Sequence, residues 1–176
     1  MSLVLPFFGK RHKAPAIDWD ALYADHIERI YNFFRYRVGD DAVAEDLTAM
    51  TFEKAWQRRR QFRGDVTRFT YWLYAIARNV ANDYFRNRPK LVALDEALVA
   101  QGDRLSEQVE RQSEFARLVH HIQQLPERER DIISLKYGAD LNNRQIARQL
   151  KLSESNVGSI LHRTIKKLRQ RMEQPT

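Results

Sequence analysis

Apolar residues recur three and four positions apart along most of the 176-residue chain, with polar residues between them. This spacing places apolar side chains on one face of a helix, whereas a half-buried strand would alternate at every second residue. No convincing alternating run occurs, and five prolines and six glycines leave few breaks. The pattern therefore predicts an all-α protein.

Capping and breaking residues give the boundaries of the predicted helices. Asp18 or Asp20 caps the first helix and Gly39 ends it, while the third helix stops before Pro89 because a proline disfavours helical backbone at the preceding residue. The predicted helices span about 18–38, 42–62, 67–87, 105–124, 127–137, 142–150 and 154 onward. We expect an N-terminal tail (1–17), a small helical domain (18–88), a flexible linker (89–111) and a second small helical domain (112–176).

The last two helices have the pattern of a helix-turn-helix. A tight turn at 151–153 separates them, and Ser153 caps the second. One side of this second helix is apolar; Ser155, Ser159, His162, Arg163, Lys166 and Gln170 lie on the other side. Hydrogen-bonding groups near the helix start and cations farther along are what base edges and phosphates require. An ordinary solvated basic face would look the same, so this alternative stays open.

The third helix combines an apolar stripe with an unusual opposite face. The stripe contains Phe69, Trp72, Leu73, Ile76, Val80 and Tyr84, which favours a core position for Trp72. The opposite face carries Tyr71, Tyr74, Arg78, Asn82, Phe85 and Arg86, with Asn79 at its flank. Aromatic rings between Arg and Asn side chains suit unpaired bases, and the preceding 63–68 loop would close a pocket around one. Packing of these rings against the first two helices is the alternative.

The second helix has two apolar sides. Val43, Leu47 and Met50 lie on one side, and Phe52 and Trp56 lie on another. A surface helix buries one face against its own core, so a second partner is implied. That partner is either a neighbouring helix or another protein, and the pattern does not choose between them.

Charge favours an anionic partner. The chain has 30 Lys and Arg against 23 Asp and Glu, a net charge of +7. Residues 61–90 hold six basic and two acidic side chains, 142–176 hold eight and two, and the intervening 91–115 hold two and six. Two basic modules joined by an acidic segment indicate nucleic acid, although chance clustering on solvent-facing helices would give similar blocks.

Several classes of protein are disfavoured. Zero cysteines exclude disulfides and thiolate metal sites and fit a reducing compartment, so we expect a cytoplasmic protein. Residues 3–8 are too short for an export signal, and no apolar run approaches a membrane span. We find no phosphate loop, metalloprotease motif or nucleophile elbow, and the rings of His120 and His121 diverge on a helix. We expect no enzyme activity, cofactor, metal or small-molecule substrate.

A series of short motifs, in a fixed order along the chain, resembles those of a known family. The N-terminal ones are AEDL (44–47), TFEKAW (51–56), FRGD (62–65), WLYAIARN (72–79) and DY (83–84). The C-terminal ones are LPER (125–128), SNVGS (155–159), LHR (161–163) and KLR (167–169). In order and spacing, the chain resembles bacterial extracytoplasmic-function (ECF) sigma factors over about 20–88 and 112–172. A response regulator shares a similar C-terminal helix-turn-helix, but the N-terminal half lacks the strand-helix alternation of a receiver domain.

The resemblance implies a subunit that binds core RNA polymerase, recognises the minus-ten and minus-thirty-five promoter elements and promotes strand opening. It implies contacts with the β′ clamp coiled coil and the β flap, an anti-sigma factor as a further partner, and a monomer when free or a one-to-one complex with that factor. The docking set, expected on the clamp, comprises Asp46, Ala49, Met50 and Glu53. The melting set comprises Arg63, Thr67, Arg68, Tyr71, Arg78, Asn79, Asn82 and Arg86. The upstream set comprises Ser155, Asn156, Gly158, Ser159, His162, Arg163 and Lys166.

Four positions depart from the family pattern. Ala49 and Met50 replace the usual Gln and acidic residue, which removes polar groups from the docking set. Ala75 stands where a basic residue is common, and Gly158 replaces a frequent Lys or Arg. The tail before Asp18 lies outside the resemblance.

Overall fold

The computed structural model describes residues 18–95 and 106–173, and the side chains of 18–87 and 114–173. All regular elements of these residues are helical, as the apolar spacing predicts. None of the helices in them has the length and apolar character needed to span a bilayer.

Three helices form the N-terminal unit: α1 (Trp19–Val38), α2 (Asp41–Gln57) and α3 (Val66–Asp95). An aspartate caps each: the Asp18, Asp40 and Asp65 side chains accept hydrogen bonds from backbone N–H groups of the first turns. Gly39 ends α1 with φ 77°, a left-handed conformation that favours glycine. Short aspartate and glycine signals thus place the starts of all three helices and the end of α1.

Aromatic side chains fill the core between α1 and α3. Phe33, Phe34, Phe69 and Tyr74 are essentially inaccessible to solvent. Trp72 packs against Trp19, Phe62 and Phe69, at ring-centroid distances of 6.2, 5.1 and 5.7 Å. The predicted core position of Trp72 is confirmed.

The C-terminal unit contains α4 (Ser106–Gln123), α5 (Glu127–Ile133), a π-helical turn (Ser134–Gly138), α6 (Asn143–Leu150) and α7 (Glu154–Glu173). The π turn continues α5, so the predicted helix ended by Gly138 is confirmed with a wider last turn. The buried side chains at its centre are Ile132, Leu135, Leu141, Ile146 and Val157.

The two units pack against each other through α1 and the π turn, and their buried residues join in one cluster. A Cβ added to Gly138 would lie 2.6 Å from the Asn32 carbonyl oxygen, so only glycine fits this approach. The Gln123 amide also donates a hydrogen bond to the carbonyl oxygen of Val38. The described chain is therefore closed, with its C-terminal helices against the end of α1.

Two predicted helix ends are wrong. The second helix was expected to reach about residue 62, but α2 ends at Gln57. Turn hydrogen bonds at Arg59 and Gln61 replace helical ones and bring Phe62 into the core, where it is 8% exposed. Burial of this ring thus overrides the local helical pattern.

The third helix continues through Pro89 to Asp95 instead of stopping before the proline. An interior proline removes one helical hydrogen bond and disfavours the helix, but it can be accommodated, and the lysine, leucines and alanine among residues 90–95 favour helical backbone. Residues 96–105, in the predicted linker, and the tail lie outside the described residues.

Candidate DNA and polymerase interfaces

Local capping fixes the recognition helix α7. At the start of α6, the Asn142 side chain accepts from the Gln145 N–H while the Gln145 side chain accepts from the Asn142 N–H, both at 2.9 Å. Lys151 turns the chain with φ 56°, and the Ser153 hydroxyl then accepts from the Asn156 N–H at 3.1 Å. These hydrogen bonds and the conformation of Lys151 form the predicted turn and determine how α7 is oriented about its axis.

The buried side of α7 is the predicted apolar one. Val157, Ile160, Leu161, Thr164 and Leu168 are all buried against the rest of the unit. The upstream set lies opposite: Ser155, Asn156, Ser159, His162, Arg163 and Lys166 are exposed, and Gly158 is half-buried. The structure therefore brings all seven together on one accessible face.

Two details refine this face. The Lys167 ammonium lies 3.5 Å from a Glu129 carboxylate oxygen, so this lysine is partly engaged within the chain. A Cβ on Gly158 would meet only the Asn143 amide nitrogen, at 3.8 Å, which is ordinary contact. No neighbouring helix in the described chain requires glycine there.

The loop before α3 is rigidly built although its cations are exposed. Phe62 anchors one end in the core, and Asp65 caps α3 by accepting from the Arg68 N–H at 2.9 Å. A Cβ on Gly64 would come within 2.8 Å of the Arg68 side chain, so the turn needs glycine. Arg63, Thr67 and Arg68 of the melting set point outward from this loop region.

Asn79 and Arg86 border a polar hollow of about 370 Å³ between α2 and α3. Lys54 of α2 and Arg58, just after its end, line the other side, so cations and amides converge there. Lys54 also approaches Asp83 at 3.8 Å, which links the two helices. Sequence reasoning missed Lys54 and Arg58, although the three consecutive arginines at 58–60 were a signal of a basic edge.

The other members of the melting set are engaged inside the chain. The Arg78 guanidinium donates two hydrogen bonds to Asp131 of α5, at 3.2 and 3.0 Å. The Tyr71 ring lies under the guanidinium of Arg148 on α6, 4.6 Å away. Asn82 accepts from Arg37 of α1 at 2.9 Å. The C-terminal unit thus covers two melting residues, and α1 holds a third.

Asp131 is the centre of this contact. Its other carboxylate oxygen accepts from Arg37, and both side chains are buried. Burial lowers the pKa of Arg37 to about 9, which leaves the guanidinium charged at neutral pH. Burial also lowers the pKa of Arg78. One carboxylate therefore serves two desolvated cations from different helices.

Tyr74 was predicted to lie on the base-facing side of α3, and this prediction is wrong. It is fully buried, with its ring centroid 6.0 Å from that of Phe33 on α1. Burial raises the pKa of its hydroxyl. Of the two interpretations of this face, packing against the first helices is the correct one for Tyr74.

The docking set is continuous on the outer face of α2. Asp46, Ala49, Met50 and Glu53 are all exposed, and Met50 retains 43% of its accessible surface. The inner face buries Ala44, Leu47, Thr48, Thr51 and Ala55. A neighbouring helix accounts for part of the second apolar side, because Tyr23 of α1 packs against Phe52, while Met50 stays uncovered by the described residues. Within the described part of the chain, no cluster of three potential metal ligands occurs.

Comparisons with known proteins identify the family of both units. The family Sigma-70 region 2 matches residues 22–90, and Sigma-70, region 4 matches residues 121–170. The chain is 28% identical over 154 residues to the ECF RNA polymerase sigma factor SigM of Bacillus subtilis strain 168, covering 85% of this chain and 92% of SigM. It is 29% identical over 160 residues to SigX of the same strain, covering 86% and 82%.

One solved structure has a similar fold. It is the co-crystal structure of the sigma factor RpoE in complex with the anti-sigma factor NepR from Bartonella quintana. The match has a TM-score of 0.63 at 18% identity and covers 90% of this chain and 99% of that one.

Proposed function

The chain belongs to the sigma-70 family as an ECF sigma factor, an alternative sigma factor that directs RNA polymerase to promoters, and we propose that three separate surfaces perform this work. The docking set of α2 binds the clamp coiled coil of core polymerase. The melting set recognises and opens the minus-ten element, and the upstream set reads the minus-thirty-five element. The polymerase supplies all the chemistry of RNA synthesis.

The observation that carries this proposal is the orientation of α7. Its apolar side is buried and its seven upstream residues share one accessible face, beginning with hydroxyl and amide groups and continuing to cations. A helix that enters the major groove needs this order, because its first turns approach base edges while later cations approach phosphates. A merely solvated helix has no need to group hydroxyl, amide and imidazole side chains.

The polar hollow beside α3 suits a base leaving the duplex. The exposed Asn79 amide offers hydrogen bonds, and Lys54, Arg58 and Arg86 place positive charge beside the strand backbone. Asp83, on the same lining, pairs with Lys54 and Arg86 and holds these two cations in place. Arg63 and Arg68 extend this charge along the preceding loop. We include Lys54 and Arg58 in the proposed melting surface.

The closed packing requires a conformational step before promoter opening. Arg78 and Tyr71 contact α5 and α6, so DNA gains access to both side chains only after these contacts open. Polymerase binding and promoter binding supply the free energy for this separation in the proposed cycle. An anti-sigma factor would be the cytoplasmic partner that opposes polymerase binding.

Transcription in vitro tests the proposed function. Purified core polymerase is combined with the chain on genomic DNA, and start sites are mapped. We expect a small set of starts that share two upstream elements and disappear without the chain. A chain that binds no core polymerase, or adds no start sites, would contradict the proposal.

The docking surface has its own test. Asp46→Lys with Glu53→Lys should weaken core binding by about 2–4 kcal/mol, because both carboxylates lie on the exposed face assigned to the clamp. Glu114→Lys with Glu173→Lys makes the same change in net charge at other exposed positions and should leave affinity unchanged. Affinity is measured by fluorescence anisotropy, and helix content by circular dichroism. Equal affinities of the two double variants would remove α2 from the interface.

A further inference from the structure

An apolar groove runs along α1 and α2 of the N-terminal unit. Its first part, about 320 Å³, lies between Trp19, Tyr23, Phe52 and Trp56. A second hollow shares Tyr23 and continues past Tyr31 along α1. Tyr23 is 46% exposed and Trp56 is 52% exposed, high values for large apolar side chains. Contiguous exposed apolar surface of this kind marks an interaction site.

The packing of the two units leaves this groove open. The C-terminal helices reach α1 at its far end, around Asn32, Tyr36 and Val38, whereas the groove begins at its first turn. The residues that line the two hollows all belong to α1, α2 and α3. Within the described residues, nothing from the C-terminal unit covers the groove.

The rim of the groove is acidic. Asp20 and Glu53 line the first hollow, and Glu28 and Glu45 line the second. The residues lining these two hollows include no lysine or arginine. A complementary ligand therefore combines apolar side chains with nearby positive charge.

The first 17 residues of the chain combine apolar side chains with nearby positive charge. The run 3–8 reads LVLPFF, and Lys10, Arg11 and Lys13 follow within five residues. The tail joins the structure at Asp18, directly before Trp19 of the groove. Phe8 lies ten positions before Asp18, a stretch that spans up to about 33 Å, whereas α1 rises only about 18 Å from Trp19 to Tyr31.

We propose that residues 3–8 bind in the groove between α1 and α2, with the basic residues of the tail against its acidic rim. A short tether gives the tail a local concentration of about 1 mM, so modest intrinsic affinity is sufficient for occupancy. Glu53 belongs to the docking set, and the bound tail therefore also shields part of the surface assigned to polymerase. This last consequence rests on the proposed function; the binding of the tail does not.

Tryptophan fluorescence reports directly on this groove. Two of the three tryptophans, Trp19 and Trp56, line the groove, with ring centroids 6.2 Å apart. Trp72 packs against Trp19 from the core side, also at 6.2 Å. Phe7→Ser with Phe8→Ser should release the tail and raise the acrylamide quenching constant roughly 1.5-fold, because Trp56 becomes accessible. Ala14→Ser with Ala16→Ser changes the same tail without removing an apolar anchor and should match the unaltered chain. Tyr23→Ser, on the groove side, should raise quenching as the phenylalanine variant does.

Adding the tail in trans tests the affinity. A peptide of residues 1–17 should restore low quenching to the Phe7→Ser/Phe8→Ser chain with a Kd below about 1 mM, the value at which the tethered segment is mostly bound. Equal quenching of the unaltered chain and the Phe7→Ser/Phe8→Ser chain would overturn the proposal. A quenching difference that appears only at high protein concentration would also overturn it, because a second copy would then supply the tail.

Polymerase binding separates this inference from the proposed function. If the tail shields Glu53, the Phe7→Ser/Phe8→Ser chain should bind core polymerase a few-fold more tightly than the unaltered chain. A chain that binds no polymerase contradicts the proposed function and leaves the quenching result intact. Unchanged quenching with normal polymerase binding overturns the tail inference alone.

Discussion

The two helices proposed to contact DNA, α3 and α7, differ in how much of their polar face is accessible. On α7, six of the seven upstream residues are exposed. On α3, Tyr71, Arg78 and Asn82 are engaged by side chains from α6, α5 and α1. The polar side of α7 is exposed to solvent, whereas the polar side of α3 packs against other helices of the chain. In the closed chain, the face proposed to read the upstream element is accessible, whereas part of the face proposed for melting is covered.

The ion cluster at Asp131 accounts for two of the three engaged side chains, because it holds Arg78 directly and Asn82 through Arg37. Arg37 is completely buried, and its Nε has no hydrogen-bond partner among the described residues. Buried ions lose hydration, and their mutual attraction restores only part of that free energy. We therefore expect the cluster to fix where the units meet more than it adds stability, as the proposed opening of this contact requires.

Removing the carboxylate gives the largest expected effect. Asp131→Asn keeps the shape of the side chain but leaves Arg37 and Arg78 without their anion, which should weaken the closed packing by about 3–5 kcal/mol. We expect a larger radius of gyration in X-ray scattering and tighter binding of a single-stranded minus-ten oligonucleotide.

The matched control removes a carboxylate from a more exposed pair. Glu129→Gln breaks the contact with Lys167 and should change stability by less than about 1 kcal/mol, with no effect on compactness. If Asp131→Asn leaves both scattering and oligonucleotide binding unchanged, the contrast between the two DNA-facing helices fails.

The second prediction sharpens the account of the accessible helix. Arg163→Ala should cost about 1–3 kcal/mol on the preferred upstream element and reduce discrimination among its variants, because a guanidinium that reaches a base edge carries sequence information. Lys166→Ala should weaken all sequences alike and reduce the salt slope by about one counterion. Both are measured by anisotropy with duplexes at several salt concentrations. Uniform losses for both variants would assign Arg163 to phosphates.

Helical periodicity accounts for what the sequence predicted well. On α7, Val157 and Leu161 identify the buried side, so the accessible side follows from residues three and four apart. On α3, the same method placed Tyr74 with Tyr71 and Arg78, yet Tyr74 is core. Helical angle locates a residue on a face but does not say which neighbour covers that face.

Contacts between distant residues explain what the sequence did not predict. Asp131 lies 94 residues from Arg37 and 53 from Arg78, and no local pattern joins three such positions. Lys54 and Arg58 likewise become part of the polar hollow only because α2 crosses α3. The predicted end of the second helix failed for a similar reason, since the core captures Phe62.

The third prediction compares neighbouring melting residues. Asn79 is exposed while Arg78 is held by Asp131, so Asn79 is accessible to DNA before the units separate. Asn79→Ala should cost about 1–1.5 kcal/mol in strand opening, the value of a hydrogen bond lost to a flipped base. Permanganate reactivity measures opening, and footprinting measures the closed complex, which should change less. Equal losses in both assays would make Asn79 a structural residue.

The smallest expected effect concerns Gly158, the one upstream residue without a side chain. A glycine inside a helix costs about 1 kcal/mol relative to alanine, and an added Cβ meets only the Asn143 amide at 3.8 Å. Gly158→Ala should therefore stabilise the free chain by about 1 kcal/mol in urea unfolding, since nothing in the described fold opposes the methyl group. Because the fold does not require glycine here, we expect the backbone of α7 to approach DNA closely at this position, and the same variant should bind the upstream element more weakly. A variant that gains stability and binds normally would show that α7 does not use Gly158 to approach DNA.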